Sequence, residues 1–302
     1  MTLTPEELTS LSQKINIVWD ATILDTFQSC PAKFNYRFNL LREAVDKPPA
    51  LDTGSLVHIG HEAYYNQLKE DGNWEKAVEK SLLAVRIAPT ELQSEEVSRV
   101  LDVLEETHTV WRFKDLSYEI LAVEQPFSYV LKEDEQFRVI MIGKIDLLVN
   151  DYPHYMNLPI DHKSYTRDGP VKRKTNQFTN YSYAMQSPFL VVNRVGLSES
   201  IGVGAKRTTD PAARHKRIPL SYDPLYYEQW KENVWHWAML YYDAHQTGVW
   251  PLNDTSCDKF NRLCEYYEVC DTSGENNKIY KLETDFKLGE KWDVSSSLAK
   301  KG

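Results

Sequence analysis

The chain has 302 residues, 42% of them hydrophobic, and a formal net charge of −9. That content supports a sizeable core in one large domain or two, and it excludes a disordered or collagen-like chain. No apolar run approaches the roughly 18 residues of a spanning helix, the N-terminal stretch Met1 to Asp20 lacks a basic-then-apolar signal pattern, and four cysteines are too few for a secreted disulfide scaffold, which together point to a cytoplasmic protein.

In chain order, residues 1–21 form an amphipathic lead-in. The spacing of Ile23, Phe27 and Cys30 behind Thr22 predicts a helix over 22–30 capped by Thr22, and Pro31 opens a second helical piece in which Phe34, Tyr36 and Phe38 are core. Pro48-Pro49 breaks the chain, and a helix from about Thr53 carries His58 and Glu62 on one face. Residues 74–115 read as a helical insert of two helices, Trp74 to Ala88 and Leu92 to Phe113. Rising β-branched and aromatic content predicts strands at 118–131, 136–149 and 154–164. A helix over 175–192 then sets Gln177 and Tyr181 one turn apart. Strands at 196–207 and 214–220, a long aromatic-rich helix over 223–247, a cysteine segment at 251–270 and a polar tail at 271–302 complete the chain.

Chemistry concentrates in the strands carrying Asp146 and Asp161. Asp146 lies among Ile142, Ile145, Leu147, Leu148 and Val149, a setting in which a carboxylate is rarely kept without a partner or a metal. Side chains alternate along a strand, so Asp161 and Lys163 share a face and His162 takes the other. Two carboxylates and an ammonium that converge can hold a divalent metal beside a phosphate and polarise a water. The plain alternative is a solvated strand face. The acidic balance speaks against a nucleic-acid partner, yet two local segments reverse it. Lys163, Arg167, Lys172, Arg173 and Lys174 stand against Asp168, and Lys206, Arg207, Arg214, Lys216 and Arg217 stand against Asp210. Three of the four cysteines crowd into one segment, as Cys257, Cys264 and Cys270, a pattern that favours a metal cluster over disulfides.

The order of these motifs resembles a known family. Phe27-x-x-Cys30-Pro31-x-x-Phe34-x-Tyr36-Arg37 is followed by Gly54-x-x-x-His58, Gly143-x-x-Asp146, Asp161-x-Lys163, Gln177-x-x-x-Tyr181 and the three late cysteines. This is similar to the RecB-like exonuclease branch of the PD-(D/E)XK nucleases, above all its iron-sulfur members in CRISPR adaptation, AddB-type recombination and phage. The resemblance implies an α/β fold with a mixed central sheet flanked by helices. It makes residues 1–250 a nuclease domain holding the helical insert, and 251–270 a cysteine segment that packs back on Cys30.

By the same resemblance, Asp146 and Asp161 bind a catalytic Mg²⁺ or Mn²⁺, with His58 adding a nitrogen ligand and His162 its backbone carbonyl. Lys163 orients the attacking water and offsets phosphate charge, while Gln177 and Tyr181 help place the lysine and the DNA strand. His61 and Glu62 are further candidates. Cys30, Cys257, Cys264 and Cys270 hold a [4Fe-4S] cluster. The family's late spacing is Cys-x-x-Cys-x5-Cys, whereas the first gap here is longer, which leaves Zn²⁺ or free buried thiols as alternatives. Arg167, Lys172, Arg173, Lys174, Lys206 and Arg207 are candidate DNA contacts, with single-stranded ends as the expected substrate and RNA as an alternative. Recombination or CRISPR proteins are possible partners. The other reading is a retired nuclease fold that binds or scaffolds within such an assembly.

Overall fold

The structure, a computed structural model, describes residues 14–45, 49–199, 208–259 and 262–289. The chain opens with β1 (Ile15–Trp19), α1 (Ala21–Ser29), α2 (Pro31–Phe34), a π-helical turn (Asn35–Asn39) and β2 (Arg42–Ala44). Three helices follow, α3 (Pro49–Asp71), α4 (Trp74–Ile87) and α5 (Ser94–Leu116), and then three strands, β3 (Glu119–Glu133), β4 (Phe137–Asp151) and β5 (Tyr155–Tyr165). Next come α6 (Asn176–Ala184), β6 (Phe189–Gly196), α7 (Pro211–Arg214), β7 (Lys216–Ser221) and the long α8 (Pro224–Thr247). Last are β8 (Asp258–Lys259), β9 (Arg262–Leu263), α9 (Tyr267–Asp271), α10 (Glu275–Thr284) and β10 (Phe286–Leu288). Among the described residues no helix is long and apolar enough to cross a membrane.

Two compact units divide these elements, one from residues 14–45, 128–143 and 228–289, the other from 49–127 and 144–227. β3 and β4 contribute residues to both. In the first unit β1 runs parallel to the start of β4, from Ile15 opposite Phe137 to Trp19 opposite Met141. Phe27 anchors its core, with Trp19, Phe34, Trp237, Tyr241 and Trp250 around it at ring-centroid distances of 5.4–6.4 Å, mostly edge to face.

In the second unit β4 pairs antiparallel with β5, β5 parallel with β6, and β6 antiparallel with β7, so the sheet is mixed. The apolar run of β4 is buried on both faces, as a central strand requires. Tyr64, Tyr65 and Leu68 of α3 and Ala77 and Val78 of α4 cover Leu147, Val149, Leu158 and Ile160 of that sheet. α5 packs Val100, Val103 and Leu104 against Leu56 and Val57 of α3. β6 ends at Gly196, where an added Cβ would stand 2.8 Å from the Arg214 carbonyl oxygen, so only glycine lets α7 come this close.

The expected elements change in four places. Asp20, not Thr22, caps α1, because its side chain accepts from the Ile23 amide at 2.8 Å while its own backbone is extended. α3 begins at Pro49 and not Thr53, since proline is well tolerated where a helix starts. The helix expected over 175–192 ends at Ala184, and Phe189–Gly196 is a strand: Gln186 has φ +52° and Pro188 follows, which stops the helix, and the Leu190-Val191-Val192 run favours a strand. Of the strand expected at 196–207, residues 200–207 lie outside the described residues. Within the stretch expected as a polar tail, α10 buries Leu282 against Tyr266 and Val269, and β10 pairs antiparallel with β2.

Candidate active site

The site is assembled within the second unit from five elements, α3, β3, β4, β5 and α6. β4 and β5 pair antiparallel through Leu147 and Ile160, so Asp146, one residue before Leu147, stands opposite Asp161, one residue after Ile160. The His162 amide N–H donates to Asp146 Oδ2 at 2.8 Å, which fixes that carboxylate across the strand pair. Lys163 Nζ donates to Asp161 Oδ1 at 3.1 Å, the same-face neighbour that strand periodicity demands. It lies 3.1 Å from Oδ2 as well, but without hydrogen-bond geometry, and Oδ2 is buried with no other partner. From α3, His58 brings Nδ1 to 3.5 Å from Asp146 Oδ2.

From α6, Gln177 Nε2 donates to the Tyr181 hydroxyl at 3.0 Å, and Phe178 sets its ring 6.0 Å from Lys163 Nζ. Tyr181 is buried edge to face against Phe127. Thr175 caps this helix by accepting from the Phe178 amide at 3.1 Å.

Glu124 was not among the sequence candidates. It is buried in β3, and a carboxylate oxygen of Glu124, one of Asp146 and a ring nitrogen of His58 all lie within 4.8 Å of one another. Its φ of +50° is unusual for a residue with a side chain. The signal that could have found it is the one that marked Asp146: a lone carboxylate inside an apolar strand, here Ile120-Leu121-Ala122-Val123-Glu124.

Burial dominates the electrostatics. It raises the Asp146 carboxyl to about 7, the nearby Glu124 charge adds to this, and Lys163, the His162 amide and Lys144 oppose it. Asp161 is likewise raised to about 7 by burial and by Asp146, against Lys163 and His58. Burial and Lys163 lower His58, leaving a neutral imidazole with a lone pair to give. Burial pushes the Tyr181 phenol well above its ordinary value, so it stays protonated. Carboxylates that resist ionising, a buried oxygen without a hydrogen bond and a neutral imidazole together describe a place for a divalent cation, and the mixed nitrogen and oxygen donors suit Mn²⁺ or Mg²⁺.

His61 and His162 lie behind the site. Their rings stack at 4.1 Å, and Asn193 Nδ2 donates to His162 Nδ1 at 2.9 Å. Of the basic candidates, Arg167, Lys172, Arg173 and Lys174 are exposed, while Lys206 and Arg207 lie outside the described residues. The rest of the second basic segment is engaged internally: Arg214 pairs with Glu106, Lys216 with Asp168 at 2.8 Å, and Arg217 with buried Asp115 at 2.6 Å.

In the first unit the four cysteines form no disulfide. Cys30 follows α1 and is buried. The Ser29 carbonyl beside it accepts from Ser256 Oγ and from Asn253 Nδ2, both at 2.7 Å. The Cys264 amide donates to the Cys257 carbonyl at 2.7 Å, closing a small hairpin. Burial raises the Cys257 and Cys270 thiols, and the other cysteines raise them further, so the four stand within electrostatic reach of one another. Tyr36 hydrogen-bonds Cys270, and burial with that thiol pushes its phenol up to about 12. Phe34 is core as expected and Tyr266 is buried too, whereas Tyr36 and Phe38, expected in the core, are only partly buried in the π-helical turn.

Residues 19–271 match the model of the PD-(D/E)XK nuclease superfamily. No curated protein matches the sequence. Among solved structures, the crystal structure of SSO0001 aligns with 76% of this chain and 79% of its own at 11% identity, with a TM-score of 0.34.

Proposed function

We propose that this chain, which belongs to the PD-(D/E)XK nuclease superfamily, is a metal-dependent DNA exonuclease of the RecB-like type that acts on single-stranded ends. The observation that carries the reading is the buried pair Asp146 and Asp161, both raised to about 7 by burial, with Glu124 and a neutral His58 beside Asp146 and Lys163 on Asp161. His58, Glu124, Asp146 and Asp161 would hold Mg²⁺ or Mn²⁺. The His162 carbonyl can join them, because the N–H and C=O of one strand residue point to the same neighbouring strand and its N–H meets Asp146. When bound, the ion polarises a phosphoryl oxygen and makes water a better nucleophile at neutral pH. Lys163 orients that water and offsets the charge that builds on the phosphate, and Gln177 with Tyr181 lines the approach. Recombination, repair or CRISPR-type DNA processing in a cytoplasm is the setting proposed for it.

The cysteines would form a [4Fe-4S] site. What supports this reading is the pattern of one early and three late cysteines, with Cys257 and Cys270 each within electrostatic reach of the others.

The test uses end-labelled linear and covalently closed circular single-stranded DNA of one sequence, with Mn²⁺ at low salt. Linear strands should shorten from an end while circles survive, and Asp146→Asn should lower the rate on the order of 10²-fold or more. Circles cut as fast as linear strands would discard exonuclease action, and full activity in Asp146→Asn would discard the site.

A further inference from the structure

We propose that Lys144 serves as the counter-ion of Glu124 only until a divalent cation is bound, and that it then turns to the phosphate of the substrate. The inference rests on the metal-dependent reading above and adds a second lysine to it. Lys144 stands two residues before Asp146 on β4, so both side chains rise from one face of the strand. Its ammonium is ion-paired with Glu124, the same carboxylate that lies within ligand distance of His58 and Asp146. The Lys144 charge also reaches Asp146 and His58. Glu124 therefore faces two cation positions, one filled by Lys144 and one shaped for a metal.

Both positions cannot be equally favourable at once. An ammonium next to a divalent ion in so dry a setting is repelled strongly, and a carboxylate shared between the two gives each less than it gives one alone. Of the two, Lys144 is the group able to move. Its side chain is 20% exposed, against 11% for Glu124, and its four-carbon stem lets the ammonium swing toward water. Glu124 is held in place, because φ +50° within β3 is a conformation that a residue with a side chain keeps only when its surroundings impose it. A freed ammonium here would meet a phosphate oxygen, the role proposed above for Lys163 on β5. The pairing keeps the acidic site neutralised without metal and delivers a cation for the substrate when metal arrives.

Calorimetric titration of Mn²⁺ into the full chain tests this. Lys144→Gln should bind Mn²⁺ about tenfold more tightly than the wild type, the size expected when a charged hydrogen-bonding competitor is removed. At saturating Mn²⁺ the same variant should show a higher KM for single-stranded DNA. In a Glu124→Gln background, Lys144→Gln should tighten Mn²⁺ binding far less, because only the direct charge repulsion is then left to remove. Unchanged or weaker Mn²⁺ binding by Lys144→Gln, or a tightening just as large in the Glu124→Gln background, would overturn the exchange. The wild type supplies a reading that needs no variant: amine acylation at Lys144, followed by mass spectrometry, should rise severalfold on adding Mn²⁺, and unaltered labelling would count against it. Wild type and Asp146→Asn that both fail to bind Mn²⁺ would instead sink the metal-dependent reading, and the exchange with it.

Discussion

Asp146 and Asp161 face each other across a strand pair with too little water to ionise both cheaply, and this governs how the site answers to pH. Each carboxyl is raised to about 7 in the folded chain, against about 4 when unfolded. Between those values the folded state holds more protons at these two sites than the unfolded one, so their own contribution to metal-free stability is fullest below about pH 4 and is lost as the pH rises through 7. Mn²⁺ bound at these carboxylates would replace those protons. The Mn²⁺-induced gain in stability should be small at pH 5.5 and approach about 2.7 kcal/mol at pH 8 with the ion at a hundred times its Kd. Thermal melts with and without Mn²⁺ across this range give the measurement, and an equal gain at both ends would mean that these carboxyls do not bind the ion. Residues whose partners sit at fixed offsets were legible in sequence: Asp161 with Lys163, and Gln177 with Tyr181. Glu124 had only its apolar strand to mark it, because its partners His58 and Asp146 come from other elements and its positive φ leaves no mark on the residues around it.

At the scale of elements, sequence reading succeeded where one period ran unbroken and failed where two signals competed. β4 and β5 were foreseen to within two residues, since a long apolar run admits one interpretation. The run from Thr175 to Val192 contains a helix and a strand separated by a short turn at 185–188, and apolar residues on both sides blurred the boundary. The late segment was read as cysteines followed by a tail because its core is small: Tyr266, Val269 and Leu282, with Tyr36 and Phe286 packed against them. Three aromatic or aliphatic side chains are little to hold such a segment, and a metal centre tying Cys30 to Cys257, Cys264 and Cys270 would close a very long loop. By analogy with disulfides such a tie is worth several kcal/mol. Anaerobically purified protein should therefore be brown and contain about four irons per chain, the content of one [4Fe-4S] cluster. Cys270→Ser should lose colour and melt at lower temperature. One zinc per chain and no iron would replace the cluster with a zinc site.

For the molecule as a whole, a net charge of −9 repels a phosphate backbone, so strand binding must come from a local cluster. The structure separates exposed basic residues from those already paired with carboxylates. Lys216 is bound to Asp168, Arg214 to Glu106 and Arg217 to Asp115, which turns most of the described second basic segment into internal ties. Lys172, Arg173 and Lys174 are exposed just before α6, the helix that presents Gln177 and Tyr181. The Arg173 guanidinium lies 5.7 Å and the Lys174 ammonium 5.6 Å from the Tyr226 ring centroid, so their charges are held over an aromatic face rather than left to wander. Each phosphate neutralised on a single strand contributes about 0.7 to the slope of log affinity against log salt. In the Asp146→Asn background, where cleavage is suppressed, changing all three to alanine should cut that slope by about 2 and weaken binding at every sequence alike. Lys216→Ala should leave the slope near its starting value, because that charge is already spent on Asp168. Fluorescence anisotropy with a labelled single strand between 50 and 200 mM salt, roughly the range over which such effects are large, reads both slopes. A triple variant with an unaltered slope would move the strand's path away from α6, and a Lys216→Ala slope that fell as far would show that the internal pairs open to meet the strand.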